Sequence, residues 1–137
     1  WHLPHLFLHP DVELAAIIEP SKAPRSSTGE DLPGPEALAS QYRCPVFASL
    51  DELLASDISL DGLLVATPHS THAGIGITAL GAGLHVLMEK PMTTDISEAF
   101  ALFAAAVASD CAFLVNNTAN YRTQCSRAQE LVTTGKP

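Results

Sequence analysis

The stretch Asp61–Ala99 decides the fold, and it reads DGLLVATPHSTHAGIGITALGAGLHVLMEKPMTTDISEA. It holds two continuously apolar runs, Gly62–Thr67 and His85–Met88, on either side of a segment that ends in Gly81 and Gly83. Short, continuous apolar runs are typical of strands buried on both faces of a sheet. Because glycines commonly end helices, the segment between the runs predicts a helix. The stretch therefore predicts a strand–helix–strand unit with parallel strands.

The same alternation continues on both sides of this unit. Further apolar runs predict strands at Val12–Ile18, Pro45–Ala48 and Cys111–Val115. The stretches between them predict helices at Leu50–Ala55, Ser70–Ala82, from Asp95 onward and at Thr123–Val132. In the helix after Asp95, the helically spaced apolar residues that predict its core face are Ile96, Ala99, Phe100, Phe103 and Val107. The Pro-rich segment Glu19–Pro35 predicts a loop. The fold class is thus α/β, a doubly wound parallel sheet, in one domain over residues 1–137.

Composition excludes several classes of protein. The 137 residues carry 7 Lys and Arg against 15 Asp and Glu, a net charge of −8. Nucleic-acid binding and docking to a membrane surface both require a basic face, so we expect neither partner. The three cysteines, Cys44, Cys111 and Cys125, lack the spacing of a zinc site. We therefore expect no metal, and reduced thiols in a cytoplasmic protein.

Candidate functional residues follow the predicted strands, because parallel sheets bind ligands beyond the carboxyl ends of their strands. Glu19, at the end of one strand, could accept hydrogen bonds from an adenosine ribose or be a solvated loop acid. Ser21, Lys22 and Arg25 follow it and could hold a 2′-phosphate instead. Three further strand ends carry polar side chains: Thr67-Pro68-His69, Glu89-Lys90-Pro91 and Asn116-Asn117.

The segment Thr67–His72 joins a strand to a helix start, where free backbone N–H groups favour anions. Ser70 or Thr71 is expected to cap this helix. His72, in its first turn, is either a ligand contact or a packed, hydrogen-bonded residue.

Glu89-Lys90-Pro91 is the sharpest signal, because it places a charged pair directly after a buried strand. Lys90 could polarise a substrate hydroxyl or carbonyl, or lie beside a nicotinamide ring. The alternative is a surface ion pair worth about 0–1 kcal/mol. A sharp turn there is compatible with a cis Lys90–Pro91 bond.

These motifs, in this order, resemble the cofactor domain of the glucose–fructose oxidoreductase, inositol dehydrogenase and rhizopine-catabolism (Gfo/Idh/MocA) oxidoreductase family. The family pattern has Thr-Pro-Asn-x-x-His, then Ala-Gly-x-His-Val, then Glu-Lys-Pro, and it is matched here by Thr67-Pro68, His72, Ala82-Gly83, His85-Val86 and Glu89-Lys90-Pro91. His69 departs from the pattern because the family commonly has Asn there. The family's first strand with its G-x-G-x-x-G turn, and its substrate domain, are not found in these 137 residues.

The resemblance implies a Rossmann-like domain that binds NAD or NADP, with NAD slightly favoured by Glu19. It implies hydride transfer to or from a sugar, polyol or related hydroxy compound, with Lys90 near the reacting carbon. The residues expected at the cofactor are Glu19, Thr67, Pro68, His69, His72, Glu89, Lys90, Pro91 and Asn117. We expect the intact protein to be a homo-oligomer and this part alone to be inactive.

Two other classes compete with this interpretation. A phosphoacceptor receiver domain has a similar sheet and a late Lys-Pro, but it needs an acceptor Asp where this chain has Thr67. A non-catalytic dinucleotide-binding module would explain the missing Gly-rich turn, whereas the intact Glu89-Lys90-Pro91 favours an enzyme.

Overall fold

The structure is a computed structural model that describes residues 2–26 and 28–135. Its helices are α1 (His2–Leu8), α2 (Pro35–Tyr42), α3 (Leu50–Leu54), α4 (His72–Gly81), α5 (Ile96–Ala108) and α6 (Thr123–Thr134). Its strands are β1 (Ile17–Ile18), β2 (Val46–Phe47), β3 (Gly62–Val65), β4 (His85–Glu89) and β5 (Phe113–Asn116). Short 3-10 turns cover His69–Thr71 and Thr118–Tyr121. No helix of the described ranges is both long and apolar enough to cross a membrane.

The chain divides into two compact units, the first ending at Leu60. In this first unit, β1 and β2 form a parallel pair in which Ile17 lies opposite Val46. Its buried core is formed by Ile17, Leu38, Tyr42 and Cys44. Burial raises the pKa of the Cys44 thiol, as expected for a cysteine packed in a core.

The second unit, from Asp61 onward, holds a three-stranded parallel sheet in the order β3-β4-β5. Val65 lies opposite Met88, and Met88 lies opposite Val115. Both crossovers step in the same direction across the sheet, so right-handed connections bring α4 and α5 to the same face, where they pack together. The predicted α/β class with parallel strands is confirmed.

Helix α4 approaches the sheet closely because it carries a glycine at the contact. A Cβ at Gly76 would lie 2.8 Å from the ends of both Met88 and Leu102, each of which is 0% exposed. At Gly74, on the open side of the helix, a Cβ would meet nothing within 4 Å. Close packing therefore explains Gly76 but not Gly74.

The prediction of the core face of α5 is wrong. Its supposed core residues Ile96, Phe100, Phe103 and Val107 are 63–72% exposed, and the buried residue of the helix is Leu102. The helix is apolar on more than one side, so the periodicity of its large residues does not identify the face that meets α4. Met92 and the exposed side of α5 form an open apolar groove of about 340 Å³.

Other boundaries differ by smaller amounts. The strand predicted over Val12–Ile18 is reduced to Ile17–Ile18, because residues 12–16 have no ladder partner in the described part of the chain. The strands predicted at 45–48, 62–67, 85–88 and 111–115 and the last helix are present with shifts of a few residues. Helix α2 was not predicted, although Pro35 at its first turn followed by Glu36 is a helix-start signal.

We predict opposite effects for the two glycines of α4. Gly76→Ala brings a methyl group to 2.8 Å from the ends of Met88 and Leu102, and these fully buried side chains can give way only by displacing their own neighbours. The substitution should therefore lower the free energy of unfolding by about 1–2 kcal/mol despite the better helix propensity of Ala. Gly74→Ala, the matched control, should raise it by about 0.5–1 kcal/mol. Urea denaturation of both variants measures this, and stabilisation by Gly76→Ala would contradict the packing argument.

Candidate cofactor edge

The second unit brings three polar turns to one edge of its sheet. Strands β3, β4 and β5 are parallel and in register, so their carboxyl ends lie side by side. The turns that follow them carry the three predicted groups, Thr67-Pro68-His69, Glu89-Lys90-Pro91 and Asn116-Asn117. We call this set of turns the cofactor edge.

Glu89 organises the turn after β4. Its Oε1 accepts a hydrogen bond of 2.8 Å from the Asn116 side-chain amide, and its Oε2 accepts one of 3.1 Å from the backbone N–H of Lys90. Glu89 and Asn116 are half-buried and lie opposite each other in the ladder. Lys90 is exposed. The carboxylate thus fixes the backbone of the turn, and the ammonium group is directed to the exterior of the unit.

The sequence places Asn116 only at the end of a predicted strand and does not predict its role as the partner of Glu89. The signal was present in the sequence, since both residues end neighbouring apolar runs. Asn117, which was predicted at the cofactor, is exposed just before the turn Thr118–Tyr121.

Hydroxyl groups close the turn after β3. The Thr71 hydroxyl donates to the Pro68 carbonyl oxygen at 2.7 Å and lies 2.7 Å from the Thr67 hydroxyl. Thr71 directly precedes α4, as predicted, but its side chain accepts no hydrogen bond from a backbone N–H of the helix. Neither Thr71 nor Ser70 caps the helix with its side chain. The 3-10 turn His69–Thr71 leads directly into α4, and the backbone N–H of His72 donates to the His69 carbonyl oxygen.

His72 lies beneath this edge. Its side chain is fully buried. Its Nδ1 is 3.0 Å from the carbonyl oxygen of Pro91, and its Nε2 is 3.1 Å from that of Thr67. The ring of His69 packs edge-on against it, with 5.5 Å between ring centroids. His72 is therefore a hydrogen-bonded interior residue, and His69 is the exposed histidine of the pair.

Six residues of the edge are exposed on its turns: Thr67, Pro68, His69, Lys90, Pro91 and Asn117. Four of them carry a side chain that can donate a hydrogen bond, through a hydroxyl, imidazole, ammonium or amide group. The Lys90–Pro91 peptide bond is cis, as expected. This donor set fits an anionic, hydroxyl-rich ligand such as a dinucleotide. Within the described residues no group of three or more His, Cys, Asp or Glu side chains could hold a metal ion.

Glu19 belongs to the first unit and is described with it. It follows β1, and its backbone N–H donates to the Phe47 carbonyl oxygen at 2.9 Å. Its Oε1 accepts a hydrogen bond of 2.8 Å from the Ser21 backbone N–H, which ties the carboxylate to the loop that follows β1. Further along, Arg25 pairs with Asp31 at 3.0 Å, both largely exposed.

Fold and edge together define a parallel α/β protein of the kind that binds ligands at the carboxyl edge of its sheet. The family model described as "Oxidoreductase family, NAD-binding Rossmann fold" matches residues 2–117. The chain belongs to this family, the Gfo/Idh/MocA oxidoreductases. The receiver-domain alternative is therefore wrong, and the resemblance drawn from the motifs is confirmed.

Individual relatives agree with the family assignment. A UDP-N-acetylglucosamine 3-dehydrogenase of Acidithiobacillus ferrooxidans is 44% identical over 69 residues, half of this chain and 21% of that protein. The 3-ketoreductase KijD10 of Actinomadura kijaniata, solved with NADP and TDP-benzene, is 28% identical, with a TM-score of 0.76 over 98% of this chain and 39% of its own. GenD2 from gentamicin A biosynthesis, solved with NAD, is 30% identical, with a TM-score of 0.77 over 95% of this chain and 34% of its own. The chain thus spans between about a fifth and two fifths of these proteins.

We predict that Asn116 stabilises the edge and Asn117 does not. Asn116→Ala removes a charge-assisted hydrogen bond from half-buried Glu89 and should cost about 1–2 kcal/mol of unfolding free energy. Asn117→Ala changes an exposed turn residue and should stay within about 0.5 kcal/mol. Thermal melting monitored by circular dichroism compares the two, and equal losses would show that the Glu89–Asn116 contact is not stabilising.

Proposed function

We propose that this chain is the central part of the cofactor domain of a longer NAD(P)-dependent oxidoreductase. The observation that supports this most is the turn Glu89-Lys90-Pro91, held by Asn116 beside the turn Thr67–Thr71 at one sheet edge. In the intact protein, the Gly-rich pyrophosphate turn and the substrate domain would come from outside residues 1–137. The names of the relatives favour a sugar, a nucleotide sugar or a polyol such as inositol as substrate.

The proposed roles follow from exposure. Lys90 is the catalytic residue, because its exposed ammonium can hydrogen-bond the reacting hydroxyl and stabilise a developing alkoxide. Glu89 holds the Lys90 backbone. Thr67, Pro68, His69, Pro91 and Asn117 form the surface that the dinucleotide contacts, and the dinucleotide, when bound, supplies the hydride acceptor or donor. His72 contributes to the same site as a buried residue that contacts the carbonyl oxygens of Thr67 and Pro91.

Glu19 supports NAD over NADP as the preferred cofactor. A carboxylate after this strand accepts a hydrogen bond from a ribose 2′-hydroxyl and repels a 2′-phosphate. Its Oε1 already holds the Ser21 N–H, which fixes the orientation of the carboxylate. Of the two cations that could favour NADP, Lys22 and Arg25, the second is paired with Asp31.

The remaining features of the intact protein rest on the family likeness and the acidic composition. We propose a cytoplasmic homo-oligomer that works on small molecules, without nucleic-acid or membrane partners. A non-catalytic dinucleotide-binding module is the alternative that the kinetic experiment below would detect.

We predict that Lys90→Ala in the intact protein lowers kcat by about 10²-fold, the scale of losing one transition-state donor. The melting temperature should stay unchanged, since the side chain is exposed. Arg127→Ala is the matched control, because it also removes an exposed cation, one that lies on α6 and pairs with Glu130. Steady-state oxidation of sugars and polyols with NAD gives the comparison. An unchanged kcat would refute the catalytic role of Lys90, whereas no turnover by the unmodified protein would favour the non-catalytic module.

We predict that Glu19→Ala shifts cofactor preference toward NADP. Removing the carboxylate takes away both the bond to the 2′-hydroxyl and the repulsion of a 2′-phosphate, so the kcat/KM ratio of NAD to NADP should fall about tenfold or more. Glu13→Ala, an acidic residue outside the strand ends, controls for net charge. A preference for NADP in the unmodified protein would refute the role of Glu19.

A further inference from the structure

His72 combines full burial with two polar contacts to separate turns. Its Nδ1 faces the carbonyl oxygen of Pro91 at 3.0 Å, and its Nε2 faces that of Thr67 at 3.1 Å. Pro91 belongs to the turn that presents Lys90, and Thr67 belongs to the turn that opens α4. One rigid ring therefore spans the gap between the turns that follow β3 and β4.

Carbonyl oxygens only accept hydrogen bonds, so each contact binds when the facing ring nitrogen carries a proton. A buried polar ring without a partner would be costly, and the two carbonyls are the partners that the interior offers this one. Because the ring is planar and fully enclosed, it also fixes the distance between the two turns as a spacer.

We propose that His72 is a positioning residue for Lys90. The ring donates from Nδ1 to the Pro91 carbonyl oxygen and so holds the Glu89–Pro91 turn. Its Nε2 side lies against the Thr67 carbonyl and spaces the neighbouring turn. The ring does not contact the cofactor. This proposal rests on the proposed function for its kinetic consequence, whereas its structural consequence can be read without any activity.

The two contacts can be separated by side chains of different reach. The amide nitrogen of an Asn lies close to the position of a histidine Nδ1, and that of a Gln lies close to the position of Nε2. His72→Asn can therefore keep the contact to Pro91 and lose that to Thr67. His72→Gln can keep the contact to Thr67 and lose that to Pro91. His72→Phe fills the same space and donates to neither.

The structural test uses backbone amide NMR of the 137-residue chain. His72→Gln should shift the amide resonances of Glu89, Lys90 and Met92 more than those of Thr67 and His69, and His72→Asn should do the reverse. His85→Gln is the control, because His85 accepts from the Ala112 N–H at the opposite end of β4 and should shift neither group. Identical patterns for the two His72 variants would overturn the proposal.

The kinetic test uses the intact protein with NAD. His72→Gln should lower kcat by about 10²-fold, as expected for a misplaced catalytic group, while His72→Asn should retain kcat and raise KM for the cofactor. Equal losses in both variants, or full activity of His72→Phe, would overturn the positioning role.

If the unmodified protein and Lys90→Ala are equally inactive, the proposed function fails, and the NMR pattern alone decides the role of His72. Because His72→Asn and His72→Gln each keep one donor, the comparison does not depend on His72→Phe folding.

Discussion

The close approach of α4 to β4 is the constraint on which the cofactor edge depends. Gly76 leaves room for the ends of Met88 and Leu102, so the helix can lie directly on the buried strand. His72 lies one helical turn before Gly76 on the same face, and it is buried for the same reason. A helix held farther from the sheet would withdraw the imidazole from the carbonyls of Thr67 and Pro91. Packing in the middle of the unit thus sets the geometry at its edge.

The sequence predicts an element of the fold well where its pattern of apolar residues is compatible with one structure only. The run His85–Met88 is short and apolar, and it lies between Gly83 and the charged pair Glu89-Lys90. It forms most of β4, the central strand of its sheet. Helix α5 has large apolar residues on two sides, so a periodicity argument chose the side with more of them, and Leu102 on the other side is the one that is buried. Which side of α5 is buried depends on where α4 packs, and that is a tertiary contact that the sequence pattern of α5 does not contain.

The candidate site divides in the same way. Strand ends locate the residues that reach the edge, because every parallel strand delivers its next few residues to the same side. The pairing of Glu89 with Asn116 depends on ladder register, which apolar runs do not specify to the residue. The carbonyl contacts of His72 depend on two turns from different parts of the chain meeting around one ring. Sequence spacing alone leaves both a ligand contact and an interior position open for that residue.

Burial separates the residues of the edge that a ligand could touch from the residues that hold the turns in position. Glu89 and Lys90 are adjacent in sequence, yet the carboxylate is half-buried against Asn116 and its own neighbour's N–H while the ammonium is exposed. An acid left free beside Lys90 would compete with a substrate for the ammonium group, whereas one engaged by an amide and a backbone N–H competes less. The same reasoning separates exposed His69 from buried His72. In each pair the inward residue is held by polar contacts within its unit, and the outward residue is the one exposed at the edge.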